Sequence, residues 1–139
     1  MKTIISNSPG ETFQFGVDYG GRLQPGDVVA LSGELGTGKT VLAQGICFGI
    51  GYRGEVTSPS FVRIHTYPHT APIYHADLYL LRTEAEVIDL GLDELYGSEA
   101  IVIVEWAQRF PGLLPEGCHW IELEWYDDKE SSRRITISD

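Results

Sequence analysis

The segment from Gly33 to Thr40 reads GELGTGKT, and its G-x-x-x-x-G-K-T spacing constrains the fold more than any other feature of the chain. Before it, the short apolar run 27–32 is suited to a buried strand. After it, residues 41–48 can continue as a helix that ends at Gly49 or Gly51. The motif requires strand, loop and helix in that order, so this part of the chain predicts an α/β fold.

Each residue type in this loop favours the binding of an anionic phosphate. Gly36 and Gly38 allow successive backbone N–H groups to turn inward, in a conformation where a Cβ would clash. Lys39 can reach the β- and γ-phosphates of a nucleotide, and the Thr40 hydroxyl can ligate the accompanying Mg²⁺. The positive end of the following helix is directed at the same phosphates. The motif therefore predicts binding of ATP or GTP, and the alternative is a glycine-rich turn that carries a lysine by chance.

Charge and composition limit the other functions that the chain can have. The net charge is −10, with only three lysines, which disfavours a broad nucleic-acid surface of clustered Lys and Arg. Between Thr83 and Gln108 there are seven acidic residues and no basic one, typical of either a solvated face or a docking surface for a basic protein. The sequence has no membrane span or signal segment, so we expect a cytoplasmic protein. Cys47 and Cys118 lack metal spacing and are expected to be reduced structural thiols.

The remaining periodicity predicts one domain, residues 1–139, with strands and helices in a single α/β sheet. The predicted strands are 3–6, 27–32, 61–67, 73–79 and 100–106, followed by a hairpin of 120–126 and 134–138 around the polar turn 127–132. Ser8 and Pro9 are predicted to begin a helix, which the glycines at 16, 20 and 21 weaken. Thr83 and Glu86 form a capping box at the start of another predicted helix, which ends at Gly91. We expect a three-layer fold of the P-loop NTPase type, whose mixed sheet has a parallel core and an antiparallel C-terminal hairpin.

Two acidic residues at predicted strand ends can complete a nucleotide site. Hydrolysis needs a metal opposite the phosphate loop and a group that orients the attacking water. Glu105 follows the most apolar strand and Asp77 follows a shorter one, and ligands in open α/β sheets bind at such carboxyl ends. The alternative for each is an ordinary strand-end acid. His75 lies on the same strand face as Asp77, and it either supports that carboxylate or is an ordinary buried histidine.

Four blocks of sequence together resemble the TsaE (YjeE) family, small bacterial ATPases required for threonylcarbamoyladenosine modification of tRNA. The blocks are LSGELGTGKT at 31–40, TSPSF at 57–61, HADLY at 75–79 and VEW at 104–106. They occur in the family's order and span most of the chain. Any one block after the loop is weak on its own, whereas the four together are specific.

The resemblance implies a role for individual residues. The ATP phosphates are expected to bind at Leu35, Gly36, Thr37, Gly38, Lys39 and Thr40. Thr40 and Glu105 are expected to ligate Mg²⁺. Lys39, Asp77 and Glu105 are expected to be the catalytic residues, and Asp77 is expected to orient or deprotonate the attacking water. Thr57 and Ser60 belong to a segment expected to sense the γ-phosphate. Thr12 matches a residue near the base, and Trp106 lies beside the metal ligand, with a core position capping the sheet as its alternative.

The chain departs from the family pattern at two positions of this site. Ser60 stands where the family commonly has Thr, and it keeps the hydroxyl. Leu80 stands where the family has Arg, which removes a cation. Whether Arg82, Arg133 or Arg134 contacts the nucleotide in its place is left open by the sequence.

The implied function is an ATPase component of the tRNA N6-threonylcarbamoyladenosine modification system. Its ATP hydrolysis, with Mg²⁺, is expected to be weak alone and to drive repeated turnover of the partner proteins TsaB and TsaD. Contact with tRNA is expected mainly through those partners. Two alternatives stay open, a small-molecule or nucleoside kinase, for which the chain lacks an arginine-rich lid, and a binding module gated by nucleotide without useful hydrolysis.

Overall fold

One mixed sheet organises the computed structural model, which describes residues 1–126 and 129–138. The strands are β1 (Lys2–Ser6), β2 (Val28–Ser32), β3 (Ile64–Tyr67), β4 (Ile73–Asp77), β5 (Ile101–Glu105), β6 (His119–Tyr126) and β7 (Lys129–Ser138). The helices are α1 (Pro9–Gly20), α2 (Lys39–Ile50), α3 (Glu84–Asp89) and α4 (Leu92–Leu95), with 3₁₀ turns at Ala107–Arg109 and Pro111–Leu113.

The strand order is β1-β7-β6-β2-β5-β4-β3. The central strands β6, β2, β5 and β4 are parallel to their neighbours in this core. β7 runs antiparallel to both β6 and β1, and β3 runs antiparallel to β4. The arrangement confirms the predicted α/β fold, with its parallel core and antiparallel C-terminal hairpin.

Both faces of the central strands are covered, which gives the fold its three layers. All five residues of β2 and all five of β5 are buried. Leu31 and Ile103 pack with α2 in one apolar cluster, whereas Ala30 and Val104 pack in the other with residues of α3 and α4. Successive side chains of a strand point to opposite faces, so a strand between two helical layers must be apolar at every position.

β1, β2, β5 and β6 differ from the predicted bounds by one residue at one or both ends, whereas β3 and β4 differ by two residues or more. β3 begins at Ile64 rather than Phe61, because Arg63 has a left-handed φ of 73° and Phe61 is 91% exposed, outside the ladder. β4 ends at Asp77, where the Asp77 carboxylate accepts the Tyr79 N–H at 2.8 Å and turns the chain.

The C-terminal strand is longer than predicted. β7 starts at Lys129, which pairs with Tyr126, and the ladder resumes at Arg133, which pairs with Trp125, so residues 130–132 form a register irregularity within the strand. One pair beyond this irregularity, Tyr126 with Lys129, is enough to start the strand within a polar stretch that has no alternating pattern. The remainder of the predicted turn, residues 127 and 128, lies outside the described residues.

The glycines of α1 have a packing role that the sequence does not indicate. α1 is continuous through Gly16, and Ser8 caps it by accepting the Glu11 N–H at 3.1 Å. A Cβ on Gly16 would lie 2.7 Å from Leu42 O, and one on Gly45 would lie closer than 3 Å to Phe13 O. The backbones of α1 and α2 therefore contact each other directly. This contact explains why glycines occur in these helices although their low helix propensity disfavours helix formation.

Both cysteines are buried and unpaired, as predicted. Burial raises the pKa of Cys47 to about 12, so this thiol stays protonated at neutral pH. Within the part of the chain that the structure describes, no helix is long and apolar enough to cross a membrane.

The α1–α2 contact predicts that Gly45→Ala destabilises the protein. The added methyl meets the backbone of Phe13, which cannot rotate away, so we expect a loss of about 1–3 kcal/mol in the free energy of unfolding. Gly112→Ala is the matched control, because a Cβ there has no neighbour within 4 Å. Urea denaturation of both variants measures the difference, and equal stability of Gly45→Ala and wild type would contradict the close packing.

Candidate functional site

The Gly33–Thr40 loop joins the end of β2 to the start of α2, as the motif requires. Gly36 and Gly38 have φ values of 83° and 105°, a region that residues with a Cβ rarely adopt. Gly38 is also the residue before the first turn of α2, so the helix begins directly at Lys39. A loop of this shape directs unpaired N–H groups and the positive end of a helix toward one point.

Lys39 is held inside this loop. Its ammonium group donates to Gly33 O at 2.5 Å and to Glu34 O at 2.9 Å, which uses two of its three N–H donors. Nζ also lies 4.0 Å from the centre of the Trp106 ring. Burial lowers the pKa of Lys39, and the negative charges of Glu105, Asp77 and Glu34 oppose that effect. The lysine is a fixed cation next to two carboxylates.

Thr40 and Glu105 bring two hard oxygen atoms together. Thr40 Oγ1 donates to Glu105 Oε1 at 3.2 Å, and the carboxylate is only 2% exposed. Among residues 1–126 and 129–138, no cluster of three or more His, Cys, Asp or Glu could hold a metal. This pair still suits Mg²⁺, which usually takes one or two protein ligands and completes its shell with water and substrate phosphates.

Asp77 lies beside Glu105, because the two residues are partners in the β4–β5 ladder. Its Oδ2 accepts hydrogen bonds from the hydroxyls of Ser58, at 3.1 Å, and Ser60, at 2.9 Å. Asp77 is 2% exposed, so these donors compensate for the loss of water around the charge. The segment of Thr57 to Ser60 is thereby connected to the site through Ser58 and Ser60.

The sequence left open whether His75 supports the Asp77 carboxylate or is an ordinary buried histidine, and in the structure the ring contacts Glu105 instead of Asp77. Nε2 of the fully buried His75 ring lies 2.5 Å from Glu105 Oε2. β4 and β5 are neighbours, and His75 and Glu105 are diagonal neighbours on the same face, so their side chains can meet across the ladder.

Two adjoining cavities open at this edge of the sheet. The larger is about 510 Å³ and is lined by Leu35, Gly36, Gly38, Lys39, Thr40, Val41, Ser58, Ser60, Phe61, Asp77, Tyr79, Leu80, Glu105 and Trp106. The smaller is about 300 Å³ and is lined by Ser8, Pro9, Thr12, Gly36, Thr37, Gly38, Val41, Ser131 and Arg133. Gly36, Gly38 and Val41 line both cavities, so the loop and the start of α2 lie between them.

The sequence left open which of three arginines contacts the nucleotide, and of these three Arg133 lines a cavity. It donates to Thr37 O at 3.0 Å and to Gly36 O at 3.2 Å, and its guanidinium lies 3.8 Å from the Trp125 ring. Arg134 is 3.6 Å from Glu124, its neighbour on β6. Arg82 lines neither cavity, and Leu80 is a wall residue of the larger one.

The structure brings nearly every predicted site residue to the two cavities. The exception is Thr57, whose side chain is exposed and lines neither; its carbonyl oxygen instead lies 3.4 Å from the Tyr67 hydroxyl. Sequence reasoning missed the individual roles of Ser58 and Tyr67. The serine lay inside a block already singled out, but nothing in an irregular loop indicates which hydroxyl faces the site.

Comparisons with known proteins agree with this architecture. Residues 6–135 match the family model described as threonylcarbamoyl adenosine biosynthesis protein TsaE. A tRNA threonylcarbamoyladenosine biosynthesis protein TsaE from Treponema pallidum is 33% identical over 134 residues, which cover 96% of this chain and 98% of the relative. The protein of that name from Bacillus subtilis is 39% identical over 116 residues, 83% of this chain and 71% of the relative.

A solved structure is similar over nearly the whole chain. The crystal structure of YdiB from Bacillus subtilis has a TM-score of 0.82 with this chain at 31% sequence identity. The match covers 98% of this chain and 83% of that one. The similarity therefore includes the sheet, both helical layers and the loop between β2 and α2.

The contacts of Asp77 predict that Asp77→Ala loosens the segment from 57 to 63. Two hydroxyl donors lose their acceptor, so we expect backbone hydrogen exchange in this segment to become about tenfold faster. Asp89→Ala is the matched control, because Asp89 is an exposed acid at the end of α3. Hydrogen–deuterium exchange with mass spectrometry measures both, and an unchanged rate in Asp77→Ala would show that these hydrogen bonds do not hold the segment.

Proposed function

The chain belongs to the TsaE family of threonylcarbamoyl adenosine biosynthesis proteins, and from this premise we propose that it is the Mg²⁺-dependent ATPase of that tRNA modification. The observation that carries the proposal is the meeting of the Gly33–Thr40 loop with Glu105 and Asp77 at one edge of the sheet. Phosphate transfer to water depends mainly on charge and positioning, and this edge supplies one cation and two buried carboxylates.

In this proposal the loop binds the phosphates of ATP. The backbone N–H groups around Gly36 and Gly38 and the start of α2 face the anion, and Lys39 neutralises the β- and γ-phosphates. The hydrogen bonds from Lys39 to two loop carbonyls support this role, because they hold the ammonium group in place before the ligand arrives.

Mg²⁺ in this proposal is held by Thr40 and Glu105, and when bound it neutralises charge on the β- and γ-phosphates. The two side chains already contact each other at 3.2 Å, so little reorganisation is needed to direct both oxygens at one ion. Both are oxygen ligands of the kind that Mg²⁺ prefers.

Asp77 orients the attacking water or takes its proton. The carboxylate is engaged by Ser58 and Ser60, which occupy the same oxygen atom, Oδ2. The other oxygen, Oδ1, accepts the Tyr79 N–H at 2.8 Å and keeps a second lone pair with which to accept a hydrogen bond from water. The two serines restrict the orientation of this carboxylate, and in the proposal hydrolysis is slow in the isolated protein and faster once a partner shifts the segment from 57 to 60.

The nucleoside part of ATP is assigned to the smaller cavity, which continues from the phosphate loop. Thr12 forms part of its wall and is itself held by Ser6, whose hydroxyl lies 2.7 Å away. Arg133 and Ser131 close the other side. A cavity of about 300 Å³ is at the lower end of the volumes that small-molecule sites have.

The partners in this proposal are TsaD and TsaB, with tRNA bound mainly through them. The net charge of −10 supports this division, because a protein so poor in cations makes few contacts with phosphate backbones. Hydrolysis by this chain then resets the TsaB–TsaD pair for a further round of modification.

The test is multiple-turnover modification of tRNA by the reconstituted proteins with Lys39→Ala or Glu105→Ala. We expect each variant to lose at least about 10²-fold in ATP turnover, because each removes a charge that faces the transferred phosphoryl group or its metal. Lys2→Ala and Glu99→Ala, which change exposed residues far from the loop in sequence, are the matched controls.

Retained multiple turnover in both Lys39→Ala and Glu105→Ala would refute the ATPase proposal. Phosphate appearing on a small acceptor instead of in water would identify a kinase. Full activity of Asp77→Asn in the modification reaction would identify a binding module that needs nucleotide but no hydrolysis.

A further inference from the structure

His75 is a fully buried polar residue on β4, between β5 and the edge strand β3, and the function proposed above gives it no role. It lies on β4, two positions before Asp77 and on the same face. A histidine at a fully buried position requires partners for both ring nitrogens, since an unpaired buried polar atom is strongly destabilising. His75 has both.

The two ring nitrogens of His75 connect two parts of the site. Nε2 lies 2.5 Å from Glu105 Oε2, and Nδ1 lies 3.0 Å from the Tyr67 hydroxyl. That hydroxyl lies 3.4 Å from Thr57 O, on the segment whose serines donate to Asp77. Contacts of 2.5, 3.0 and 3.4 Å therefore run in sequence from Glu105 through His75 and Tyr67 to the Thr57 backbone, and the last is the longest.

The Glu105 carboxylate has one oxygen for each of its neighbours. Oε2 faces His75 and Oε1 accepts the Thr40 hydroxyl at 3.2 Å. Because the contact with His75 is shorter and fully buried, it fixes the rotation of the carboxylate and leaves Oε1 directed at Thr40. Burial also raises the pKa of Tyr67, so the phenol keeps its proton and stays a donor in this set.

We propose that His75 is a positioning residue that holds Glu105 in the orientation needed for Mg²⁺ and, through Tyr67, connects this carboxylate to the Thr57–Ser60 segment. The proposal rests on the proposed function, in which Thr40 and Glu105 hold the metal. His75 itself touches neither nucleotide nor metal; it acts on the metal by restricting its ligand. Partners of this kind behind metal-binding side chains change metal affinity about 10–100-fold when they are removed.

The experiment measures ATP binding by calorimetry in EDTA and at a series of free Mg²⁺ concentrations. For His75→Leu we expect unchanged binding in EDTA, because the phosphate loop is intact. The Mg²⁺ concentration that gives half of the metal-dependent gain in affinity should rise about 10–100-fold. His75→Gln should restore most of the loss, since its amide N–H reaches about as far as Nε2. A purely structural role would weaken binding in EDTA and in Mg²⁺ alike.

His119→Leu is the matched control, because it also removes a histidine from a strand of the sheet. His119 is the first residue of β6 and pairs with Val29 near the start of β2, whereas the site lies where the parallel strands end. We expect its Mg²⁺ dependence to equal that of wild type. Tyr67→Phe keeps the proposal testable if His75→Leu fails to fold. It removes one hydroxyl and its contacts with His75 and Thr57, so we expect a rise of about fivefold in the Mg²⁺ requirement.

An unchanged Mg²⁺ requirement in folded His75→Leu, or in Tyr67→Phe where His75→Leu does not fold, overturns the positioning role and leaves the ATPase proposal standing. Absence of ATP binding in wild type overturns the proposed function itself. The two failures are thus distinguishable, because the first appears only in the variants and the second appears in the unaltered chain.

Discussion

The parallel pairing of β2, β5 and β4 is the constraint on which the candidate site depends. Parallel neighbours end at the same edge of a sheet, so the Gly33–Thr40 loop, Glu105 and Asp77 meet there although they are distant in sequence. The pairing is possible because β2 and β5 are apolar at every position and are covered by helices on both faces. The apolar composition of these strands thus accounts both for the packing of the core and for the positions of the site residues at the strand ends.

Burial of charge is the second physical constraint. Lys39, Asp77 and Glu105 are between 2% and 5% exposed, and isolated charges at such positions would be strongly unfavourable. Each is stabilised by specific partners: loop carbonyls for the lysine, serine hydroxyls for Asp77, and Thr40 with His75 for Glu105. The same partners fix the geometry of the site, so stability and preorganisation are supplied by one set of contacts.

Much of this could be predicted from the sequence because it is encoded locally. The apolar run before Glu105 predicts a central strand, and the glycine spacing predicts the loop and the start of α2. What could not be predicted depends on neighbours remote in sequence. The histidine at 75 contacts Glu105 because β4 pairs with β5, and Gly45 is needed because α1 approaches α2. Ser58 donates to Asp77 from an irregular segment, in which the sequence has no periodic pattern that indicates which way a side chain points.

The central claim is that the Gly33–Thr40 loop, Glu105 and Asp77 form one ATP-hydrolysing site. It is tested most directly by a crystal structure of the chain with Mg²⁺ and a non-hydrolysable ATP analogue. We expect phosphates inside the loop beside Lys39, the metal on Thr40 and Glu105, and the base in the cavity next to Thr12. Phosphates bound away from the loop, or a metal held by other residues, would contradict it.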